Sequence, residues 1–295
     1  MNEFQVETLT AADFDEWVTH CATTFSVEAD YFRRHFEADP QRNFHSIFII
    51  KNENGKIVST VRVFQRAIYF AGKSYKMGGI GEVSTQEKYR GKGLSAKLLA
   101  HAIDYMRVNG FVFSLLYTGL FKHYAHHGFA QIKDYHKIVR NHFEANDAIR
   151  PLTVSDFFEM EQLYRQYSAV LSGTIVRSNA YWQSWCKGEI KNPLGLFKAG
   201  HLVAYLCSEK NKITEIIGEQ PEIDQLLTAL DFSELELPNF VETSKEVVSE
   251  KFYDHNMIAL FQPIEFGGRV FVDSKTFADF VNEEKLFVVW KQDKF

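Results

Sequence analysis

The residues Arg90-Gly91-Lys92-Gly93-Leu94-Ser95 form a glycine-rich, basic segment in front of an amphipathic stretch. A helix that begins here points its first free backbone N–H groups, and the positive end of its dipole, into the turn. Gly91 and Gly93 lack Cβ atoms, so a diphosphate can approach the backbone closely, while Arg90 and Lys92 add positive charge. The segment predicts a phosphate-binding turn. The alternative is a plain strand-to-helix turn with solvated basic residues.

The elements around this segment form a strand–turn–helix–strand unit. A strand is predicted at 80–85, a helix at about 94–109 and a nearly continuous apolar strand at 112–117. The helix places one apolar stripe against a sheet, as a crossover helix does: Leu94, Leu98, Leu99, Ala102, Ile103 and Met106. The segment contains neither the G-x-x-x-x-G-K-[ST] P-loop nor the G-x-G-x-x-G dinucleotide fingerprint.

The pattern Arg90-x-x-Gly93-x-Ser95 resembles the acyl-CoA pyrophosphate loop of the GNAT superfamily of N-acetyltransferases, usually Q/R-x-x-G-x-G/A. Ser95 replaces the usual last Gly or Ala and is also small. In that family a helix, a strand and a short helix follow, and the short helix carries a Tyr four residues before Gly-Phe. Tyr124 stands in that relation to Gly128-Phe129.

The resemblance implies an acetyl-CoA site and assigns catalytic roles for acyl transfer to residues of this chain. The pantetheine arm would lie along residues 83–85, where a backbone N–H group could also stabilise the oxyanion. Tyr124 would protonate the departing CoA thiolate, because a neutral phenol has a pKa near ~10. A half-buried Tyr with a satisfied hydroxyl is the alternative reading of Tyr124. The implied donor-binding residues are Val83, Ser84, Thr85, Arg90, Gly91, Lys92, Gly93, Leu94 and Ser95.

The acceptor amine must lose a proton, since alkylamines are mostly charged at neutral pH. Glu82 lies on the key strand and is the candidate base, acting through water; a solvent-facing or ion-paired Glu is equally compatible with the sequence. His123, His126 and His127 crowd the same region and include the residue type that titrates near neutral pH. Their spacing raises the question of a metal, but no acidic or Cys partner is evident, so no metal is predicted.

The composition describes an ordinary globular protein of one or two domains, with 295 residues, 45% hydrophobic and 24% charged. The net charge of −5 argues against a general nucleic-acid binder. Cys21, Cys186 and Cys207 are far apart and form no C-x-x-C, which favours a reducing compartment. No signal peptide or membrane-spanning run is recognisable, so a cytoplasmic location and no membrane association are predicted.

The rest of the first half predicts a strand at 4–9, two helices at about 10–23 and 28–37, and strands at 44–50 and 57–64 joined at Asn54-Gly55. A further hairpin is predicted at 68–77. In the resembled family the two helices form the acceptor-side wall. The aromatic residues there are read as core rather than as substrate ligands: Phe25, Tyr31, Phe32 and Phe36.

The second half, from about Asp147, contains Arg150-Pro151-Leu152, a helix at 156–170, the segment 173–178 and Trp182. This order resembles the enhanced-intracellular-survival (Eis) type of acetyltransferase, in which a second, degenerate GNAT-like domain follows the catalytic one. A hairpin at 201–217 and a helix at 221–230 fit that domain, but no Arg-x-x-Gly-x-Ala precedes the helix. The resemblance covers about residues 1–265, with domains at 1–145 and 146–295.

The tail beyond residue 265 is too short for the third domain usual in Eis-type proteins, and it is expected to complete the second domain's sheet. Whether Phe295 reaches the first domain's cleft stays open. The fold class is therefore α/β (α+β), with two GNAT-like domains built on mixed, mostly antiparallel sheets.

The function that follows is acetyl transfer from acetyl-CoA to a primary amine of a small molecule or peptide, by direct attack in a ternary complex. One alternative is a non-catalytic acyl-CoA-binding or regulatory module. Another is aminoacyl transfer from charged tRNA, which needs a basic groove that this acidic chain does not suggest. The sequence is compatible with a homo-oligomer.

Overall fold

A computed structural model describes residues 4–293, apart from the side chain of Gln292. One mixed sheet of twelve strands runs through this part of the chain in the order β1-β2-β3-β4-β5-β12-β6-β11-β10-β9-β8-β7. Its strands are β1 (Val6–Thr8), β2 (Ile47–Lys51), β3 (Ile57–Phe70), β4 (Lys73–Thr85), β5 (Phe113–Tyr117), β6 (Ala130–Arg140), β7 (Ile149–Pro151), β8 (Leu194–Lys198), β9 (His201–Glu209), β10 (Lys212–Ile217), β11 (Glu234–Pro238) and β12 (Val247–Leu260). A separate two-stranded ribbon pairs β13 (Ile264–Phe266) with β14 (Arg269–Phe271).

Helices cover both faces of the sheet. They are α1 (Phe14–Phe25), α2 (Ala29–Ala38), α3 (Leu94–Val108), α4 (Phe121–Ala125), α5 (Phe157–Ser168), α6 (Asn179–Tyr181), α7 (Lys187–Glu189), α8 (Glu222–Thr228) and α9 (Ser274–Glu283), with a π-helical turn at Trp182–Cys186 between α6 and α7. The predicted α/β class with a mostly antiparallel sheet is confirmed. None of the described helices is long and apolar enough to cross a membrane.

Two strand–helix–strand units of the same kind lie in the two halves of the chain. Within the described residues, the two parallel pairings of the sheet are β4 with β5 and β10 with β11. Helix α3 connects the first pair and α8 connects the second. Such crossovers bury the apolar face of a helix on the sheet.

The two halves share strands, because β12 from the second half pairs with β5 from the first. Asn256–Leu260 of β12 runs antiparallel to Phe113–Tyr117, and the other edge of β12 pairs with β6. The sheet is thus continuous across residue 145, and the division of the chain there stays a prediction.

The β3–β4 hairpin is longer than predicted. The strand predicted at 57–64, the hairpin predicted at 68–77 and the strand predicted at 80–85 are parts of one ribbon whose turn lies at Ala71-Gly72. The Asn54-Gly55 turn joins β2 and β3 as predicted, with Gly55 at φ 73°.

Helix α3 packs directly on β4 at a glycine. A Cβ atom on Gly78 would lie 2.2 Å from Sδ of Met106, which is fully buried in the helix stripe. The absence of a side chain at Gly78 therefore lets this part of α3 approach the strand. Helices α1 and α2 cover the opposite face around Trp17, Phe32 and Phe36.

The tail does not extend the twelve-stranded sheet, contrary to the expectation. It forms the β13–β14 ribbon and α9, and then a segment that ends with the buried Asp293. Asp293 accepts two hydrogen bonds from the buried guanidinium of Arg177, at 3.0 and 2.9 Å, and Arg177 also pairs with Glu215 of β10. The question about Phe295 falls outside the described residues.

A buried ionic cluster lies between the sheet and α2. The carboxylate of Asp39 is 1% exposed and accepts hydrogen bonds from Arg62 and Arg66 of β3, each at 2.9 Å. The Arg66 guanidinium lies 5.2 Å from the ring centre of Tyr181 and 5.3 Å from that of Trp185. Residues from both halves of the chain therefore surround these charges.

We expect Asp39→Asn to lower the free energy of unfolding by about 3 kcal/mol or more, because it leaves two buried guanidinium groups without their shared anion. Urea unfolding followed by circular dichroism measures the change. Asp30→Asn on α2, the helix that precedes Asp39, is the control: Asp30 forms an exposed ion pair with Arg34, worth less than ~1 kcal/mol. Equal effects of the two substitutions would contradict this account.

Candidate functional site

The cleft of this protein begins where β4 separates from β5. The two strands pair only over Met77–Gly79 and Phe113–Leu115. Further along, Glu82 and Val83 together oppose the single residue Val61 of β3, and Glu82 has φ 53°. This is a β-bulge, which bends its strand and re-aims the residues that follow. The divergence borders an open cleft of about 840 Å³.

The two ends of the glycine-rich segment, Arg90 and Ser95, line the cleft, whereas Gly91, Lys92 and Gly93 are not among its lining residues. Gly91 and Gly93 both have φ 76°, and no atom lies within 4 Å of the position that a Cβ would take at either residue. Gly93 caps α3, whose first N–H groups have no partner within the helix. The Nε of Arg90 donates to the carbonyl oxygen of Thr85 at 3.3 Å, which joins this segment to the end of β4.

The structure brings most of the predicted donor-binding residues to this cleft. Its lining includes Val83, Ser84, Thr85, Arg90, Ser95 and Tyr124. Leu94 is 4% exposed and belongs to the core beneath α3, so it can offer only its backbone. The Lys92 ammonium lies over the rings of Tyr89 and Phe4, at 5.0 and 5.8 Å.

Hydrogen bonds fix the end of β4. The buried His20 of α1 bonds the Ser84 hydroxyl at 2.9 Å, and its other ring nitrogen lies 3.2 Å from the carbonyl oxygen of Ile57. Burial lowers the pKa of His20, which favours the neutral ring. Ser59 donates to the Ser84 carbonyl oxygen at 2.9 Å. These contacts hold the backbone at the cleft in one conformation.

Tyr124 reaches the cleft from α4 and is 7% exposed. Its hydroxyl makes no hydrogen bond to any described residue. Burial raises the pKa of Tyr124 to about 12. The phenol is therefore protonated at physiological pH and has a proton to donate.

Glu82 does not line the same cleft as Tyr124. Its carboxylate lies 3.4 Å from Nη1 of Arg62, at the edge of the buried ionic cluster around Asp39. Its Oε2 atom is buried and has no hydrogen-bond partner among the described residues. Burial raises the pKa of Glu82, although the positive charge of Arg62 opposes the change.

Several lining residues were not identified from the sequence: Thr24, Phe25, Leu120, Phe121 and Lys122. His123, which the sequence places in the same region, also lines the cleft. Reading the α1–α2 aromatic residues as core is correct for Phe32 and Phe36, which are buried. It is wrong for Phe25 and Tyr31, which are 42% and 40% exposed, and Phe25 faces the cleft from the last turn of α1. The sequence signal for Phe25 was weak, because periodicity does not separate the end of an apolar stripe from a ligand wall.

Comparison with known proteins identifies the family of the N-terminal part. Residues 5–132 match the family model described as Acetyltransferase (GNAT) domain. Residues 5–132 are therefore the GNAT-like part of this chain. This match supports acyltransferase activity for the chain.

Solved structures extend the GNAT fold over both halves of this chain. A GCN5-related N-acetyltransferase from Anabaena variabilis superposes with a TM-score of 0.68 at 14% identity, covering 88% of this chain and 73% of that one. One from Kribbella flavida gives 0.68 at 15% identity, with 88% and 71% covered. Eis1 from Mycobacterium abscessus gives 0.63 at 11% identity, with 88% and 74% covered. The Eis-like fold resemblance is thereby confirmed, and no curated protein matches the sequence.

The three histidines of the GNAT domain have different surroundings. Nε2 of His123 lies 3.1 Å from the Ser95 hydroxyl, whereas Nδ1 of His126 lies 2.6 Å from the carbonyl oxygen of Lys122 in its own helix. Burial lowers the pKa of His127, and electrostatic interaction with the neighbouring His123 and His126 rings acts in the same direction. Within residues 4–293, no group of three His, Cys, Asp or Glu side chains has an arrangement that could hold a metal ion.

We expect Glu82→Gln to stabilise the protein increasingly as the pH rises. The folded-state pKa of Glu82 is raised, so its stabilising contribution is complete below the unfolded value of about 4.3 and is lost as the pH rises through the folded value. A permanently neutral Gln avoids this loss. Urea unfolding from pH 4 to pH 8 measures the difference between the two proteins.

The matched control for that series is Glu53→Gln, in the exposed turn between β2 and β3. It should change stability by less than about 0.5 kcal/mol at every pH, as surface substitutions usually do. A Glu82→Gln curve that stays parallel to that of the unsubstituted protein would show that burial of the Glu82 carboxylate has no net cost.

Proposed function

We propose that this protein transfers an acetyl group from acetyl-CoA to a primary amine by direct attack in a ternary complex. The observation that carries the proposal is the position of Tyr124, which shares one cleft with the diverging end of β4 and with Arg90 and Ser95 of the glycine-rich segment. Its hydroxyl has no hydrogen-bond partner among residues 4–293. A donor site, an oxyanion-stabilising backbone and a proton donor would then border one space.

The donor diphosphate would bind at the start of α3. Gly91 and Gly93 leave open space at the turn. The free N–H groups in the first turn of α3 would point toward an anion bound there. The Arg90 side chain lines the cleft and adds a positive charge. The bulged end of β4 would provide N–H and C=O groups from Val83, Ser84 and Thr85 to the pantetheine arm.

The reaction requires one C–N bond to form and one C–S bond to break. An amine nitrogen would attack the thioester carbonyl carbon while a backbone N–H of β4 stabilises the oxyanion. Tyr124 would then donate its proton to the thiolate that leaves. Glu82 lies on the same strand but does not line this cleft, so it would accept the proton that the amine loses through water. Its raised pKa makes the carboxylate a stronger base.

The proposal includes one donor site per chain, in the first half. The equivalent parallel pair, β10 and β11, meets only at Lys212 and Glu236 and then diverges. Beyond that point Ile213 and Pro238 border a cavity whose remaining lining includes Val288, Val289 and Trp290 from the tail. We therefore propose a catalytic domain over about residues 1–145 and a second domain over 146–295 that does not bind CoA.

The small-molecule or peptide acceptor remains part of this proposal. The acidic net charge is compatible with a cationic amine and gives no support to a tRNA-dependent reaction. The cytoplasmic location and a homo-oligomeric state stay predictions from the sequence.

We expect acetyl-CoA to bind with a micromolar Kd and Gly93→Trp to weaken this binding at least 100-fold, because an indole would fill the turn. Isothermal titration calorimetry measures both. Gly55→Trp is the matched control: Gly55 has φ 73°, close to the 76° of Gly93, and the same open surroundings, but it lies in the β2–β3 turn. Absence of binding to the unsubstituted protein would favour a non-catalytic module.

We expect Tyr124→Phe to lower kcat about 10²- to 10³-fold while the Kd for acetyl-CoA changes less than about twofold, since only proton donation is lost. Thiol release in the presence of polyamines, amino sugars or lysine peptides measures kcat. Tyr105→Phe is the control, because the Tyr105 hydroxyl on α3 contacts Gln65 outside the cleft. An unchanged kcat in Tyr124→Phe would eliminate Tyr124 as the general acid.

A further inference from the structure

A side-chain hydrogen bond connects the two elements that form the donor side of the cleft. Nε2 of His123, in α4, lies 3.1 Å from the hydroxyl of Ser95, in the first turn of α3. Both residues line the cleft, together with Arg90 and Tyr124. His123 therefore lies at the start of α3, where the free N–H groups of the helix would receive a diphosphate.

Ser95 is the residue at which this chain departs from the usual glycine-rich pattern. A Gly or Ala at that position has no side-chain polar atom, whereas Ser95 offers a hydroxyl that can donate or accept. The bond to Ser95 uses Nε2 of His123 and positions the ring beside the first turn of α3. Nδ1 of His123 does not take part in this bond. Neighbouring His126 has no such role, since its Nδ1 contacts the backbone of its own helix.

We propose that His123 is a ligand of the donor diphosphate, positioned by Ser95, and that it takes up a proton when the donor binds. This inference rests on the proposed acetyl-CoA site. No covalent bond changes in this step: a proton from solvent adds to the imidazole, and the imidazolium donates a hydrogen bond to a phosphate oxygen.

The charges around His123 favour this coupling. Among the described residues no carboxylate forms an ion pair with His123. The titratable groups near it are Arg90, Lys122, Tyr124, His126 and His127. A bound diphosphate would place an anion beside His123, and an anion stabilises the protonated imidazole.

The test is calorimetric titration of acetyl-CoA at pH 7.5 in several buffers of different ionisation enthalpy, which yields the number of protons taken up per donor bound. We expect the unsubstituted protein to take up a measurable fraction of a proton for each acetyl-CoA bound. We also expect its affinity for acetyl-CoA to increase as the pH falls toward 6. His123→Gln should abolish the uptake that depends on His123 and weaken the donor affinity about tenfold.

His126→Gln is the matched control and should retain both the uptake and the affinity, and thermal melts establish that all variants are folded. The donor's own phosphate, which titrates near pH ~6, contributes equally to every variant. Binding with identical proton uptake in His123→Gln and the unsubstituted protein would overturn the inference and leave the proposed function intact. Absence of acetyl-CoA binding to the unsubstituted protein would overturn the proposed function itself.

Discussion

The divergence of β4 from β5 is the constraint on which the rest of this structure depends. A parallel pair that stops after Met77–Gly79 leaves backbone groups without ladder partners, and such groups must find others or face solvent. The bulge at Glu82 directs the end of β4 away from the pair. Bonds from His20 and Ser59 then hold Ser84, so the opening is a fixed feature of the fold.

Unfavourable backbone strain and desolvation next to the cleft are concentrated at one residue, Glu82. Glu82 has a left-handed backbone conformation and a largely desolvated carboxylate, one oxygen of which has no hydrogen-bond partner among the described residues. Strain and desolvation at the same residue are typical of functional sites, where the surrounding structure compensates them. Here the compensation comes from Arg62 and the buried cluster around Asp39, which α2 and the second half of the chain cover.

The second half of the chain contributes a strand and two aromatic side chains that pack against the first half. Strand β12 forms the neighbour that β5 needs on its far edge, so β5 is not an exposed edge strand. Tyr181 and Trp185 cover the Arg66 guanidinium on the opposite face. The GNAT domain of this chain is therefore integrated with the segment that follows it.

The sequence by itself predicted the elements of the GNAT domain and the residues of the glycine-rich turn, because these depend on local spacing. The order Arg90, Gly93, Ser95 and Tyr124 is readable along the chain, and so is the apolar stripe of α3. Their convergence at one cleft could be inferred only through the family resemblance.

Only the tertiary structure decided the features that depend on contacts distant in sequence. The insertion of β12 beside β5, the separation of Glu82 from the Tyr124 cleft and the exposure of Phe25 all result from packing between segments far apart in the chain. Periodicity indicates which side of an element is apolar, but it does not indicate which distant partner covers that side or leaves it open. The bond between Ser95 and His123 likewise required knowing where α4 lies relative to α3.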